Sequence, residues 1–225
     1  LPIFLQEVWI LGIGWDDTIP EKLANRIVAW YSQLPELCNI KIRRCLQDAS
    51  LGKPLQIHVH VFADASSVAY GAVAYATCAY ANGHSSSRLI ASRSRVAPLT
   101  AMSIPRLELM AAVIAARLGK WVTDVMALDA QKCLTLWTDS QNVLWWISQM
   151  SRTFKPFVAS RVAEIQKLSS SNQWMYVPTS QNPADQVSRG SSVEQLVNSR
   201  LWWTGPEFVQ ESPCSWPEQP FSKPN

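Results

Sequence analysis

Three consecutive strand patterns are the strongest constraint on the fold. Apolar, strand-forming runs span residues 57–63, 68–80 and 88–94. Turn-forming residues separate them at Asp64-Ala65-Ser66-Ser67 and at Asn82-Gly83. Such short connections join antiparallel neighbours in a sheet. The sequence therefore predicts a three-stranded antiparallel meander.

The chain that follows predicts helices around two further strands. Apolar residues at helical spacing predict a helix over residues 105–122, and Pro105 suits its first turn. We also expect a short buried strand over 133–138, helices over 140–149 and 156–168, and a last strand over 173–177. The order β-β-β-α-β-α-α-β, followed by a short helix, predicts an α/β fold with a five-stranded mixed sheet flanked by helices.

The two ends of the chain differ from this middle part. Residues 1–54 contain turn signals at Gly12 and Gly14 and then an amphipathic helix pattern from Pro20 to Leu34, which Pro35 ends. Residues 191–225 contain a tryptophan pair and five prolines, a composition typical of a linker. We predict three segments: a partly helical segment 1–54, a main domain 55–190, and a tail 191–225 whose tryptophan pair packs on the domain.

The charge of the chain is uneven along its length. Its net charge is +3, but residues 55–190 carry twelve basic and seven acidic side chains, a net of +5. This balance is typical of a phosphate-binding protein, although an ordinary solvated surface can also carry it. The apolar stretches are far shorter than the roughly 18 residues of a membrane span, and no signal-peptide pattern opens the chain. We expect an intracellular, unsecreted protein.

Four carboxylates, each inside its own short motif, are the candidate catalytic residues. They lie at positions where the predicted fold brings distant residues together: two at the ends of strands that we expect to be neighbours, one in the first turns of the first long helix, and one after the last strand. Each could separately be a turn or cap residue. The four are Asp64, Glu108, Asp139 and Asp185.

Four converging carboxylates are a ligand set for two divalent metals. Mg²⁺ prefers hard oxygen ligands, and two metals can activate a water and stabilise a leaving oxygen in phosphodiester hydrolysis. Asn182 is a suitable N-cap and Pro183 a suitable first helical residue, which places Asp185 at the third position of a helix, where the helix dipole favours its ionised form. The sequence therefore predicts a metal-dependent nuclease.

A zinc site is a weaker alternative. His58 and His60 share a strand face and could join Cys78, but no second ligand pair follows at the spacing of a zinc finger. The five cysteines are odd in number and scattered, which predicts reduced and mostly buried thiols. Histidines that pack in the sheet are the commoner case for such a pair.

The motifs around the carboxylates resemble the RNase H region of BEL/Pao-type LTR retrotransposon Pol polyproteins. Residues 11–20 resemble the segment that joins reverse transcriptase to RNase H in that family, and residues 201–206 resemble the stretch before its integrase part. The resemblance covers most of the chain. The motifs that carry it are Phe62-Ala63-Asp64-Ala65-Ser66, Ala69-Tyr70-Gly71-Ala72-Val73, Ser94-Arg95-Val96-Ala97-Pro98-Leu99, Ile104-Pro105-Arg106-Leu107-Glu108-Leu109, Trp137-Thr138-Asp139-Ser140-Gln141, and Asn182-Pro183-Ala184-Asp185 with Ser188-Arg189-Gly190.

This resemblance implies an RNase H-like fold and a ribonuclease H, an endonuclease that cuts the RNA strand of RNA–DNA hybrids during reverse transcription. It implies two Mg²⁺ or Mn²⁺ ions at the four carboxylates, and as partners the hybrid and the reverse transcriptase and integrase parts of the same polyprotein. The expected place is the cytoplasm or a virus-like particle. Ser140 and Gln141 are expected hybrid contacts by analogy with retroviral RNases H. Arg93, Arg95 and Arg106, near the predicted active edge, are candidates for phosphate contact, although each could equally be a solvated surface arginine.

One departure and three rivals qualify this hypothesis. Many relatives have a histidine in the loop before the last Asp, which this chain lacks. An exonuclease of the DEDD class would carry Asp-x-Glu on its first strand, but position 66 is Ser. A DDE integrase would place its Glu on a late helix. An inactive connection domain with the RNase H fold, which serves a reverse transcriptase as a structural and hybrid-binding module, stays open as the alternative.

Overall fold

A five-stranded mixed sheet forms the centre of the molecule. The computed structural model describes residues 2–219. The strand order across the sheet is β3-β2-β1-β4-β5; β1 is antiparallel to β2, β2 is antiparallel to β3, and β4 is parallel to both β1 and β5. The predicted fold class is therefore confirmed. The strands are β1 Gln56–Ala65, β2 Ala69–Ala79, β3 Ser85–Val96, β4 Leu134–Thr138 and β5 Trp174–Tyr176.

Within residues 55–190, helices flank the sheet in the predicted order, except for a short helix over Ala130–Cys133 that the pattern did not predict. The long helix α3 begins one residue before Pro105 and runs three residues further than expected, to Val125. The α-helices are α1 Pro2–Ile10, α2 Glu21–Ser32, α3 Ile104–Val125, α4 Ala130–Cys133, α5 Gln141–Ser148, α6 Pro156–Leu168, α7 Asp185–Arg189, α8 Val193–Asn198 and α9 Arg200–Thr204. Short 3-10 helices span Leu34–Asn39, Ala49–Leu51, Ser151–Thr153, Ser171–Gln173, Thr179–Gln181, Glu207–Gln210 and Pro213–Ser215.

One face of the sheet packs against α3, α5 and α6. Alternate residues of β1, such as Val59, Val61 and Ala63, point to this face and are fully buried. The small residues of α3, among them Ala111 and Ala115, let the helix lie close to the strands. This packing holds the first turns of α3 beside the carboxyl ends of β1 and β4.

The opposite face is covered by the end of the chain. Phe62 and Trp137 stack on this face with ring centroids 5.8 Å apart, and Phe208 of the tail lies 4.9 Å from the Trp137 ring. Trp216 also packs there, 5.1 Å from Trp137. The tail therefore supplies part of the second core as far as Trp216. Pro220 and Pro224, two of the five prolines of the predicted linker, lie outside the described residues.

The N-terminal segment differs from the sequence prediction. Residues 2–10 form a helix that the pattern did not predict, and α2 ends at Ser32, before a 3-10 helix that contains Pro35.

The five cysteines are free, but only Cys78 is buried, so the prediction of mostly buried thiols is wrong. Cys38, Cys45 and Cys214 are exposed because they lie in loops and short turns outside the sheet. Across residues 2–219, no helix has the length and apolar character required to cross a bilayer.

Candidate active site

Two of the four carboxylates lie at the ends of adjacent parallel strands: Asp64 is the last residue but one of β1, and Asp139 comes directly after β4. Ala63 of β1 pairs with Thr138 of β4, so Asp64 and Asp139 come next on neighbouring strands and lie at the same edge of the sheet. Asp64 is only 8% exposed, and Asp139 is partly buried. This is the placement that the strand pattern predicted, and it depends on the crossover through α3 that makes β1 and β4 parallel neighbours.

Glu108 reaches the same edge from α3. The hydroxyl of Ser140 donates a hydrogen bond of 2.6 Å to Glu108 Oε2. The same hydroxyl accepts from the backbone N–H of Val143, 3.3 Å away, and thereby caps α5. Ser140 thus links the end of β4 to the start of α3, and it does so as a buried residue. Its predicted contact with a nucleic acid stays a prediction.

Asp185 is brought to the site by α7, and one earlier prediction about it is wrong. The helix begins at Asp185 itself, so this residue is not at the third helical position. The reason is that Asn182 and Pro183 form turns of the i→i+3 type: the N–H of Asp185 donates to the Asn182 carbonyl at 3.2 Å. The side chain of Asn182 still caps the turn, because its Oδ1 accepts from Ala184 N at 3.1 Å.

Close packing of α7 on the sheet depends on Gly71. This glycine pairs with Asp64 across the strands, and a Cβ there would lie 2.3 Å from the Arg93 carbonyl oxygen and 2.6 Å from Val187 Cγ1. A side chain at this position would push α7 away from the strands. Because Asp185 and Ser188 both belong to α7, Gly71 controls how near they come to Asp64.

Each of the four carboxylates has its own hydrogen-bonding partner. The hydroxyl of Ser188 donates to Asp64 Oδ2, and that of Thr179 donates to Asp139 Oδ2 at 2.8 Å. Arg189 forms an ion pair with Asp185 one helical turn away. Sequence reasoning missed Ser188, Thr179 and Arg189 as members of the site. Ser188 and Arg189 belong to the Ser188-Arg189-Gly190 motif, which could have indicated their place in the site. No local sequence pattern indicates Thr179, because its partner Asp139 is 40 residues away.

Burial and mutual repulsion disfavour the ionised forms of three of these groups. Burial raises the pKa of Asp64 to about 6, the Asp139 charge adds to this, and the Ser188 hydrogen bond opposes it. The pKa of Glu108 is raised by burial and further by the charge of Asp139. Burial also raises the pKa of Asp139, with a contribution from Asp185. The site therefore concentrates negative charge whose repulsion a cation would relieve.

The donor set fits divalent metals in its chemistry. All four candidates offer hard carboxylate oxygens, which Mg²⁺ and Mn²⁺ prefer. Within residues 2–219, however, no three His, Cys, Asp or Glu side chains stand in the arrangement of a ready metal site. The carboxylates face one another closely enough to repel, while their oxygens are engaged by Ser188, Ser140, Thr179 and Arg189.

The other predicted residues lie around this edge without joining the carboxylates. Arg93 and Arg95 are exposed on β3, and the Arg93 guanidinium lies 5.7 Å from the Trp121 ring centroid. Arg106 lies 5.1 Å from the Phe157 ring centroid, and Gln141 is the exposed first residue of α5. All four are accessible to a ligand, and their predicted contacts with a hybrid stay predictions.

The two strand histidines are structural neighbours of the second core. His58 Nε2 lies 2.9 Å from Thr135 Oγ1, and His60 Nδ1 accepts from the indole N–H of Trp137 at 3.2 Å. Burial lowers the pKa of His58 to about 4 and that of His60 well below its usual range, with the charge of His58 as a second cause for His60. Both imidazoles are therefore neutral in the folded protein, as expected for packed histidines.

A protein-family model described as the Pao retrotransposon-like RNaseH-like domain matches residues 1–140. The chain belongs to this family. The match includes Asp64, Glu108 and Asp139, whereas Asp185 lies beyond it. The RNase H-like assignment agrees with the strand order and with the resemblance of the motifs. No curated protein matches the sequence.

Several solved RNase H structures resemble the domain at low sequence identity. The N-terminal RNase H domain of a Mycobacterium tuberculosis protein, solved as a fusion with maltose-binding protein, is 15% identical over 60% of this chain and 92% of its own, with a TM-score of 0.38. RNase H1 from Halobacterium salinarum is 13% identical over 64% and 98%, with a TM-score of 0.32. LC11-RNase H1, in complex with an RNA/DNA hybrid, is 14% identical over 63% and 99%, with a TM-score of 0.38.

Proposed function

We propose that this RNase H-like domain is a metal-dependent endonuclease that hydrolyses the RNA strand of RNA–DNA hybrids during retrotransposon reverse transcription. The observation that carries the proposal is the convergence of Asp64, Glu108, Asp139 and Asp185 at one edge of the sheet, where each of three carboxyl pKa values is raised by burial and by a neighbouring carboxylate. Clusters of carboxylates with raised pKa values are typical of functional sites.

The chain's own residues would orient the carboxylates around a scissile phosphate. Ser188 and Thr179 each hold one carboxylate oxygen, Ser188 that of Asp64 and Thr179 that of Asp139. Ser140 holds Glu108 in the same way. Two Mg²⁺ or Mn²⁺ ions, held by these four residues, would supply activation of the attacking water and stabilisation of the leaving oxygen.

The surrounding surface suits a nucleic-acid substrate. Arg93 and Arg95 extend from the same end of β3 that lies beside the carboxylates, because Ser94 pairs with Gly71 and Gly71 with Asp64. We propose that these arginines, with Arg106 on α3, contact phosphates of the hybrid. Contacts to 2′-hydroxyls would let the protein choose the RNA strand.

A cleavage assay tests the proposal. We expect the 225-residue chain to cut the RNA of a labelled hybrid in Mg²⁺ or Mn²⁺, and we expect Asp139→Asn to lower the rate by about 1,000-fold, the factor that corresponds to about 4 kcal/mol of transition-state stabilisation. Asp124→Asn is the matched control, since Asp124 is an exposed acid on α3 that pairs with Lys120. Equal activity of wild type and Asp139→Asn would contradict the proposal.

A second candidate function is a connection domain that grips hybrid without cutting it. It is favoured by one observation: in residues 2–219 the carboxylate oxygens are engaged by side-chain donors, and no three ligands stand ready for a metal. Wild-type protein that binds hybrid and Mn²⁺ but yields no product would support this function. In either case we propose that the partners are the reverse transcriptase and integrase parts of the same polyprotein.

A further inference from the structure

A groove at the edge of the sheet lies far from the carboxylates. Strand β3 is an edge strand, and its first half, Ser85–Leu89, forms one wall of a cavity of about 420 Å³. The second wall is formed by Lys41, Ile42, Arg43 and Leu46, and the third by Trp203, Thr204 and Gln210 of the tail. We call this cavity the β3 edge groove.

The β3 edge groove is positively charged. Lys41, Arg43 and Arg88 line it, and none of the described residues that line it is acidic. Asp48 lies outside the lining, 4.0 Å from Arg88 Nη2, and offsets part of this charge. An anionic ligand is therefore the electrostatic complement of the groove.

Polar groups in the groove lack partners within the described residues. Ser87 is 5% exposed, and its hydroxyl has no hydrogen-bond partner there; the same holds for the buried Nε of Arg88. Buried polar groups in native proteins are nearly always hydrogen-bonded, so unpartnered ones beside a cavity point to a ligand. A hydroxyl and a guanidinium N–H are both donors to phosphate oxygens.

The rest of the lining combines apolar side chains with the polar residues Ser85, Ser86, Thr204 and Gln210. Ile42, Leu46 and Leu89 contribute aliphatic surface, and Trp203 contributes an indole that is held by a hydrogen bond of 2.8 Å from its Nε1 to the Leu196 carbonyl. A fixed aromatic side chain beside cations is the combination with which proteins bind unpaired nucleotides: the base stacks and the phosphate is neutralised.

We propose that the β3 edge groove is an accessory site for a nucleotide of single-stranded nucleic acid. Across the sheet, Ser87 of β3 pairs with Thr77 of β2, which pairs with His58 of β1. The carboxylate Asp64 lies further along β1. Six residues of β1 separate His58, at the level of the groove, from Asp64, a distance of about 20 Å. About six stacked nucleotides span the same length. An unpaired strand bound in the groove can thus continue to the carboxylate edge.

Binding of a labelled oligonucleotide tests this site independently of catalysis. The probe is a fluorescein-labelled single-stranded oligothymidine of about 12 nucleotides, and fluorescence anisotropy is measured with the 225-residue chain in EDTA, so that neither metal nor a hybrid is involved. We expect Arg43→Gln to weaken binding about three- to tenfold and to reduce the slope of log Kd against log salt by about 0.7.

Arg44→Gln is the matched control, because it removes the same charge from the adjacent exposed residue, which does not line the groove. We expect Arg44→Gln to change Kd by less than about twofold, because it alters only the nonspecific charge of the surface. Equal weakening by both variants, or no weakening by Arg43→Gln, would overturn the proposal. A labelled polyglutamate of equal length is a second probe. The proposal would also be overturned if polyglutamate bound more tightly than the oligonucleotide and Arg43→Gln weakened its binding by the same factor. Loss of hybrid cleavage alone leaves this measurement unaffected.

Discussion

The buried carboxylate of Asp64 depends on the hydroxyl of Ser188, which lies 124 residues away in sequence. Ser188 is 1% exposed, so water cannot easily replace its hydrogen bond. We predict that Ser188→Ala lowers the free energy of unfolding at pH 7 by about 1–2 kcal/mol, measured by urea denaturation in EDTA, because a charged acceptor loses its donor.

Ser160→Ala makes the same atomic change at an exposed serine of α6, whose hydroxyl donates to the carbonyl of Phe157 at 3.3 Å and accepts from Arg161 Nη1 at 3.1 Å. Its effect should be below about 0.5 kcal/mol. A Ser188→Ala protein as stable as the wild type would show that Asp64 does not need this donor.

The buried histidines predict that the protein loses stability in acid. The folded-state pKa of His58 is lowered to about 4 by burial, so between pH 6.5 and 4 the unfolded chain binds a proton at this residue that the folded chain does not. Stability from this source is present above pH 6.5 and is lost as the pH falls. Asp64, with its pKa raised to about 6, contributes in the opposite direction.

A comparison of His58→Gln with wild type cancels the contribution of Asp64. Between pH 7 and pH 4.5, we expect the free energy of unfolding of the variant to fall by about 2 kcal/mol less than that of wild type. Urea denaturation at both pH values measures this difference. His84→Gln, which removes an exposed imidazole, should behave like wild type. An unchanged pH dependence in His58→Gln would contradict the assignment of His58 as a buried neutral group.

At the scale of elements, the position of α7 on the sheet determines the site. We predict that Gly71→Ala lowers stability by about 1–3 kcal/mol and reduces hybrid cleavage, because its Cβ would meet the backbone oxygen of Arg93 and the side chain of Val187. Gly119→Ala is the control: there the Cβ would meet only the side-chain ends of Leu134 and Leu136, and Ala favours the helix. Urea denaturation and the cleavage assay measure both effects.

The elements themselves could be predicted where local periodicity was strong. The helix over 156–168 was predicted with the observed bounds, and the strands were predicted to within a few residues. The helix over residues 2–10 was missed because its apolar residues do not follow one face. Trp9 and Ile10 in this helix, and Leu11 and Trp15 after it, are exposed. The start of α7 was misplaced because a turn and a helix share the same capping signal.

For the whole molecule, the tail is part of the core. Phe208 and Trp216 cover Phe62 and Trp137 on the face opposite α3. We predict that Phe208→Ala lowers the free energy of unfolding by about 3 kcal/mol, because it leaves a cavity against the sheet. Trp15→Ala, at an exposed tryptophan, should change it by less than about 0.5 kcal/mol. The boundary at residue 190 stays a prediction, and a large effect of Phe208→Ala would argue for a later one.

Sequence alone determined the order of the five strands and of the longer helices between them, the fold class and the four candidate carboxylates, because these depend on local periodicity and on short motifs. Only the tertiary structure decided which side chains hold those carboxylates. Thr179, Ser140 and Ser188 meet their partners across 40, 32 and 124 residues, and no local pattern encodes such contacts. The tail's place on the sheet and the cations of the β3 edge groove were likewise decided by packing between distant parts of the chain.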